Sequence, residues 1–566
     1  MIRHGALSLV CLAGLAVPAM AQVTGPSTTQ SPYMLAAHPA SGVLFTSFAS
    51  NGNGTSTADE FYRNLDTGVM DYRLLGIPDG QGAFRSEEDV RNGTFTLLVT
   101  HELGNSSGAV RAHGSRGATV SQWTVRSNPG QANHLEVLGG RDLIRNVQLW
   151  NTTTNQYDRY NSASPMPTYA NNILGTGPDA NQNGFNRFCS ADLAPTTAFS
   201  FGSLGTTDRI FMSGEESGPA GRAFASIASG PDAGTTYELP RLGDFSWENS
   251  VANPFGQNKT IVVGTDDATP GNIYVYVGNK QATGNVVDRA GLTNGNLYSV
   301  TMNNTTVNGS GQRIEDRTNI LGNAATGPQA SNRFGMLNAG DVTNTTGAGL
   351  QALDSQGQMN FARPEDFAWD PSRAARGYFV TTDAFDGNSR LWSMQFDDVA
   401  NPEAGGNISM LADGAVPGTL LGGYSSASGL SDVRMMDNIA ASRFGQVLIQ
   451  EDVGNNARLG RLWLYDGNED SMTEIGVSDA TRFISGVPGF LTADEETSGI
   501  IDAWDAIGPG WWLLNMQAHY NIGAGINSNV QGGQLMAVFI PSTVPAPSAA
   551  AMLGLGGLMA ARRKRR

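Results

Sequence analysis

Along most of this chain short apolar runs of strand length alternate with turns rich in Gly, Asn and Asp, and long runs of helical period are scarce. One unit recurs: an apolar strand ending in acids, a Gly/Asn-rich turn, then a second apolar strand that often carries an aromatic residue. Its instances are "FTLLVTHELGNSSG…ATVSQWTV", "RIFMSGEESGPAGRAFASI", "TIVVGTDDATPGNIYVYVG", "GYFVTTDAFDGNSRLWSMQF", "GQVLIQEDVGNNARLGRLWLYD" and "WWLLNMQAHYNI…GGQLMAVFI". Six antiparallel pairs predict an all-β fold, a six-bladed β-propeller with inserted loops that absorb the uneven spacing. A sandwich or two packed β-domains is the alternative.

In a propeller, corresponding strand ends meet around one channel. His101, Glu102, Glu215, Glu216, Asp266, Asp267, Asp383, Glu451, Asp452 and His519 would then converge at one mouth. Carboxylates gathered so closely repel one another unless cations sit among them. The plainer reading is that each acid caps its own hairpin turn.

The ends read differently from the middle. "MIRHGALSLVCLAGLAVPAMAQ" has a basic start, an apolar run and Ala19-Met20-Ala21 ahead of Gln22, a Sec-type secretory leader over 1–21. "VPAPSAAAMLGLGGLMAARRKRR" pairs a Pro-containing spacer with an apolar segment short for a membrane span and five basic residues. This resembles the PEP-CTERM sorting signal removed by exosortase-type machinery in Gram-negative bacteria, with Val544-Pro545-Ala546-Pro547 at its VPEP-like motif and Ala in place of Glu. The expected division is a leader over 1–21, the β-domain over 22–541 and a sorting segment over 542–566, with no lasting transmembrane span after processing. The mature product would be secreted, or held at the cell surface or in the extracellular matrix.

The two ends carry six of the 35 Lys+Arg and none of the 51 Asp+Glu, so residues 22–541 have a net charge of −22. That balance argues against nucleic acid as a partner, because phosphate binding needs basic patches. It suits a protein that holds cations. Cys11 leaves with the leader, so Cys189 has no cysteine to pair with and an internal disulfide is excluded.

Cys189 therefore reads as a buried apolar side chain, a reactive thiol or a metal ligand. Just ahead of it, "DANQNG" alternates Asp179, Asn181 and Asn183 before Gly184, like the first half of an EF-hand calcium loop, but Ser190 stands where the closing Glu belongs. A calcium loop that borrows ligands and a solvated Asx-rich turn both fit. "GNSSG" matches the G-x-S-x-G hydrolase elbow at Ser106, yet strand rather than helix follows it, which excludes that reading. "HELGN" lacks the second His of a zinc helix.

Several segments taken in order, "THELG", "FCSADLAP", "MSGEESG", "LGDFSWENS", "VVGTDDATPGNIYVYVG" and "RPEDFAWDP", resemble signature segments of the PhoX-like family of secreted alkaline phosphatases (the DUF839 group). The resemblance runs from about Thr100 to Asp452, and "DEETSGIIDAWDAIGPGWWLLNMQAHY" looks like a closing blade of exported relatives. It implies a six-bladed propeller whose pocket binds calcium and ferric iron through carboxylates and one thiolate and hydrolyses phosphate esters. Carried over by position, Cys189 would be the thiolate ligand and Glu215 or Glu216 a neighbouring carboxylate. Glu248 in "SWEN", Glu365 in "RPED", and Asp266 and Asp267 in "GTDD" would add ligands, with Glu102, Glu451 and Asp452 from the converging strand ends. Four departures stand out. Gly214 sits where the family often has cysteine, the Cys189-to-Glu215 interval is longer than in the family's enzymes, Trp247 replaces the His of an "HE" pair, and the leader has Arg3 but no twin-arginine pair.

The implied function is an exported metal-dependent phosphoesterase, acting on phosphate mono- or diesters at a calcium site that iron would complete. The rival reading is a non-enzymatic calcium-stabilised propeller that binds an extracellular polymer or an envelope component. A lactonase-like calcium-dependent hydrolase on the same architecture is a third. Arg187, Arg209, Arg222 and Arg363 are the candidates for a phosphate clamp.

Overall fold

The computed structural model describes residues 22–544 apart from 52–60, 129–133, 165, 167–183, 303–312, 315–330, 385–386, 417–419 and 523–528. Asp179, Asn181 and Asn183 lie outside the described residues, as do the leader and residues 545–566.

Strands dominate as expected, and the longer helices among the described residues reach only six residues, as at Glu87–Asn92. The strands form antiparallel four-stranded meanders. The first holds Pro78–Phe84, Thr94–His101, Thr119–Ser127 and Leu135–Asp142. The next begins at Phe188–Asp192 and continues through Ile210–Glu215, Ala223–Ile227 and Thr235–Glu238. Two more, beginning at Trp247–Ala252 and Pro364–Trp369, are joined edge to edge by Ser331–Gly340 into one nine-stranded sheet. The fifth begins at Met436–Ala441, and its last strand also pairs with Met34–Ala36. In the sixth, Glu495–Asp502, Trp511–Asn521 and Gln531–Phe539 are completed by Leu44–Asn51 from the other end of the chain.

All six strand pairs read from the sequence are the second and third strands of these meanders. What the repeat did not reveal is that each pair is preceded by a further strand. These six first strands pack side by side in chain order, and the sixth returns to the first, so they form a closed inner ring.

The apolar residues explain why the sheets stack around that ring. Six buried clusters form, each between two successive sheets. Side chains alternate across a strand, so one strand feeds two clusters. Leu97 and Val99 enter the cluster shared with the sixth sheet while Leu98 enters the one shared with the second, and Val262 and its neighbours Ile261 and Val263 divide in the same way. Large rings such as Trp123, Trp392, Trp463 and Trp512 are fully buried in these layers, each contributing about 1.5–3 kcal/mol or more by burial. Every sheet thus depends on both neighbours, which makes the ring cooperative. Among the described residues no helix is long and apolar enough to cross a membrane.

Candidate metal centre

One backbone hydrogen bond recurs in all six sheets. The amides of Glu102, Glu216, Asp267, Thr382, Asp452 and His519 donate to the carbonyls of Ile77, Arg187, Ser246, Arg363, Met435 and Asp494, at 2.8–3.1 Å. It ties the end of each second strand to the start of each inner strand and defines equivalent positions. Two residues beyond each acceptor stand Asp79, Cys189, Glu248, Glu365, Asp437 and Glu496, one on each inner strand.

In five inner strands the pairing with the second strand shifts register at this point, between Pro78 and Gln81, Phe188 and Ala191, Trp247 and Ser250, Pro364 and Phe367, and Met436 and Ile439. Each shift is a β-bulge, a device that bends the strand and re-aims side chains. Four of the six acceptor residues, Ile77, Arg187, Arg363 and Met435, have φ between 47° and 53°. Left-handed backbone at a non-glycine residue costs about 1–3 kcal/mol and persists where surrounding structure imposes it.

The bulged positions and the strand ends meet. Three groups of ligand atoms each lie within 4.8 Å of one another: Asp79, Glu102 and Cys189; Cys189, Glu216 and Glu248; Glu248, Glu365 and Asp437. Cys189 and Glu248 are shared, so the groups form one continuous cluster. The Cys189 thiol donates to Asp79 Oδ2 at 3.3 Å. Gln517 extends the cluster, its amide Nε2 donating to Asp79 Oδ2 at 2.8 Å, Glu496 Oε1 at 2.9 Å and Glu102 Oε2 at 3.3 Å.

Two guanidiniums border the acids. Arg187 reaches Glu102 and Glu216, both at 2.5 Å, and its side chain is 48% exposed. Arg363 pairs with Asp267 at 2.8 Å and Glu365 at 2.7 Å. The other two arginine candidates are engaged elsewhere: Arg222 within its sheet by Glu215, and Arg209 over the Phe84 ring.

Electrostatics mark the cluster as short of positive charge. Burial pushes the carboxyls of Asp79, Glu216, Glu248, Asp437 and Glu496 well above the usual carboxylate range, and neighbouring acids add to the push. Burial raises Glu365 despite Arg363 beside it, and raises Asp452 to about 6. The Cys189 thiol is held up by burial and then by Asp79. Asp79 Oδ1 and Glu365 Oε2 are buried and accept no hydrogen bond. Unsatisfied oxygens among mutually repelling acids, with a thiol between them, are the donor set that multivalent cations would satisfy.

The structure brings together Glu102, Cys189, Glu216, Glu248 and Glu365 from the ligands expected from the sequence, with Asp267 and Asp452 at the ring's equivalent strand-end positions. It turns three others away. Strand alternation points the residue before each strand-end position into its sheet. Glu215 is clamped by Arg222 at 2.8 and 3.0 Å, and Glu451 by Arg458 at 2.6 and 3.0 Å and by Trp463 at 2.9 Å. Asp266 accepts the Ser246 amide at 3.1 Å. His101 is likewise internal, bonded to Ser121 at 2.8 Å, and burial lowers its pKa to about 3. In the fourth sheet Thr382, not Asp383, occupies the ring position.

Asp79, Asp437, Glu496 and Gln517 were missed. The signal that could have found them is an acid one or two residues into the apolar segment preceding each strand pair, as in "PDGQGAF", "MDNIAA" and "EETSGIID". The departures at Gly214 and Trp247 prove to be one feature: a Cβ at 214 would lie 2.3 Å from the Trp247 Cβ, so the indole occupies the space that a side chain there would need.

Residues 229–501 match the family model for the alkaline phosphatase PhoX. No curated protein matches the chain. Pseudomonas fluorescens PhoX, solved in complex with vanadate as a transition state analogue, shares 12% identity over 89% of this chain and 96% of its own, with a TM-score of 0.58. The BP39L lectin from Burkholderia pseudomallei, at 10% identity over 83% of this chain and 97% of its own, has a TM-score of 0.31 and shares no more than a general likeness. The central residues thus match the PhoX alkaline phosphatase family model, and the fold of P. fluorescens PhoX is shared over most of the chain.

Proposed function

We propose that this protein is an exported, metal-dependent phosphoesterase on a six-bladed propeller, cleaving phosphate mono- or diesters at the mouth of the inner ring. The carrying observation is the continuous ligand cluster that shares Cys189 and Glu248, bordered by two arginine forks. The closed inner ring and the six clusters between sheets support the propeller. The vanadate bound by P. fluorescens PhoX supports phosphoryl chemistry.

Carboxylate oxygens from Asp79, Glu102, Glu216, Glu248, Glu365 and Asp437 suit calcium, and the Cys189 thiolate suits a softer transition metal such as iron. When bound, such cations supply charge neutralisation of the ester phosphate and Lewis acidity toward its attack by water. The chain's own residues do the rest. The buried carboxylates fix where charge sits, and Gln517 spaces three of them. Arg187, half exposed, presents a planar fork of donors at the mouth, matched to two phosphoryl oxygens. Arg363, less exposed, orients Glu365 and Asp267.

Export by a leader over 1–21 and trimming within 542–566 complete the proposal. Among the described residues the first strand is Gln22–Thr24 and the last ends at Phe539.

The test is elemental analysis of mature residues 22–541 beside Cys189→Ser, followed by hydrolysis of p-nitrophenyl phosphate and bis-p-nitrophenyl phosphate. Stoichiometric calcium, turnover of either ester and its loss on chelation are expected. Stoichiometric calcium without turnover of either ester would reject the enzyme reading in favour of a calcium-stabilised binding protein.

A further inference from the structure

The two guanidinium forks stand on one side of the mouth. Arg187 belongs to the second sheet and Arg363 to the fourth, and each is the residue whose carbonyl accepts the recurring backbone bond there. In a closed ring of six, these two sheets flank the third, and the sixth lies opposite it. A phosphoryl group held between the forks leaves the side of the sixth sheet to the organic part of its ester.

The sixth sheet presents a side chain there unlike the others. The five other strand-end positions carry Glu102, Glu216, Asp267, Thr382 and Asp452, and the sixth carries His519. Its amide is held by the Asp494 carbonyl at 3.1 Å, and its ring by Gln531, whose Oε1 lies 2.6 Å from Nδ1. Oε1 only accepts, so the ring hydrogen stays on Nδ1 and Nε2 is left as an acceptor. Nε2 has no hydrogen-bond partner among the described residues, and the side chain is half-exposed.

His519 stands at the rim rather than among the ligands. Gln517, two residues earlier on the same strand, is buried and touches Asp79, Glu102 and Glu496. At about 3.4 Å per residue, His519 stands about 7 Å farther along the strand. It belongs to none of the three ligand groups found among the described residues. That distance is within reach of the far hydroxyl of a three-carbon alcohol whose phosphate sits at the cluster. The carboxylates on this side already accept amides, Asp452 that of Gly454 at 2.9 Å and Asp494 that of Asn455 at 2.8 Å. What remains unmatched is a single ring nitrogen, which one O–H donor satisfies.

We propose that His519 selects the alcohol part of the substrate, its Nε2 accepting a hydrogen bond from a hydroxyl on the carbon chain beyond the ester oxygen. Resting on the phosphoesterase reading, this role names the organic half of its substrate: phosphate esters of polyols, favoured over esters of plain alkyl alcohols. A hydroxyl replaces the water that Nε2 would otherwise hold, whereas a plain alkyl chain would cover the nitrogen and leave it unsatisfied.

The experiment measures initial rates of the mature protein, with its metals as isolated, on glycerol 3-phosphate, n-propyl phosphate and 3-aminopropyl phosphate, with p-nitrophenyl phosphate as the control for turnover. The kcat/KM for the glycerol ester is expected to exceed that for the propyl ester about tenfold, chiefly through KM. In His519→Phe that ratio should fall to about 1, and in His519→Gln, whose amide oxygen can reach the same place, part of it should return. Thermal unfolding shows whether the variants fold, and the wild-type comparison decides without them. Equal kcat/KM for the glycerol and propyl esters overturns the role of His519 while leaving the phosphoesterase reading intact. So does a ratio that persists in folded His519→Phe, or a preference for the aminopropyl ester over the glycerol ester. No turnover of any of these esters overturns the phosphoesterase reading, and the role of His519 with it.

Discussion

Cys189 shows how one side chain can be read from its neighbours. Buried among Asp79, Glu102, Glu216 and Glu248, it is in a poor setting for a free thiolate and a good one for a ligand, since the field that disfavours its anion is the field that a cation reverses. Cys189→Ser keeps the size and a weak donor, so the fold should survive and calcium should remain. Any iron should fall below about a tenth of the wild-type level in elemental analysis, and retention of iron would remove the thiol from the ligand set. Arg187 makes a different prediction. Its Ala variant should raise KM for phosphate esters about 10- to 100-fold, the scale of a lost bidentate charged contact. Lys in its place should recover only part, because a point charge lacks the fork. Calcium content measured on the same samples separates a lost clamp from a lost metal, since Arg187 also pairs with Glu102 and Glu216.

At the scale of the element, the bulged inner strand does most of the positioning. A regular strand would send Glu365 and Asp366 to opposite faces, whereas here the first joins the cluster and the second a cavity beyond it. The Gly214 and Trp247 pair is a second such device, because the indole packs over a glycine of the neighbouring sheet and stacks on Phe245 at 3.9 Å. Gly214→Ala should cost about 1–3 kcal/mol by overpacking. Combined with Trp247→His it should cost clearly less than the two single changes added together, as expected for residues that share one space. Additive costs in denaturant unfolding would show the two positions to be independent. The second and third strands were legible because they are apolar runs on either side of a Gly/Asn-rich turn, three of them marked by acid doublets at Glu215-Glu216, Asp266-Asp267 and Glu451-Asp452. The inner strands were not, because "PDGQGAF" and "EETSGIID" are broken by glycines and buried polar residues that belong to the channel rather than to a hydrophobic layer. The same blindness explains Glu215, Asp266 and Glu451: a doublet announces two acids at a strand end, but which one faces the ring is set by register, and register is fixed only once partner strands are in place.

For the whole molecule, the acidic cluster ties stability to cations and to pH. Burial raises the carboxyls of Asp79, Glu216, Glu248, Glu365, Asp437 and Glu496 above their unfolded values, and lifts Asp452 from an ordinary 3.8 to about 6. The chelated folded protein therefore binds more protons than the unfolded chain between about pH 4 and 6 and, for the more strongly raised groups, beyond it, so stability falls as pH rises through that window. The expected outcome is a Tm several degrees lower at pH 8 than at pH 5 in chelator, with the difference erased or reversed by millimolar calcium. A Tm that rises with pH in chelator would contradict the charge balance described here. A different consequence follows from the Leu44–Asn51 strand, which pairs with Gln531–Phe539 to complete the sixth sheet. The first and last parts of the polypeptide must meet before any ring exists, so a nascent chain still lacking its final strand has no closed state to fall into. On the export proposed above, the chain would cross a narrow secretion pore open and threadable, and closure, with any loading of ions, would wait until that strand had crossed.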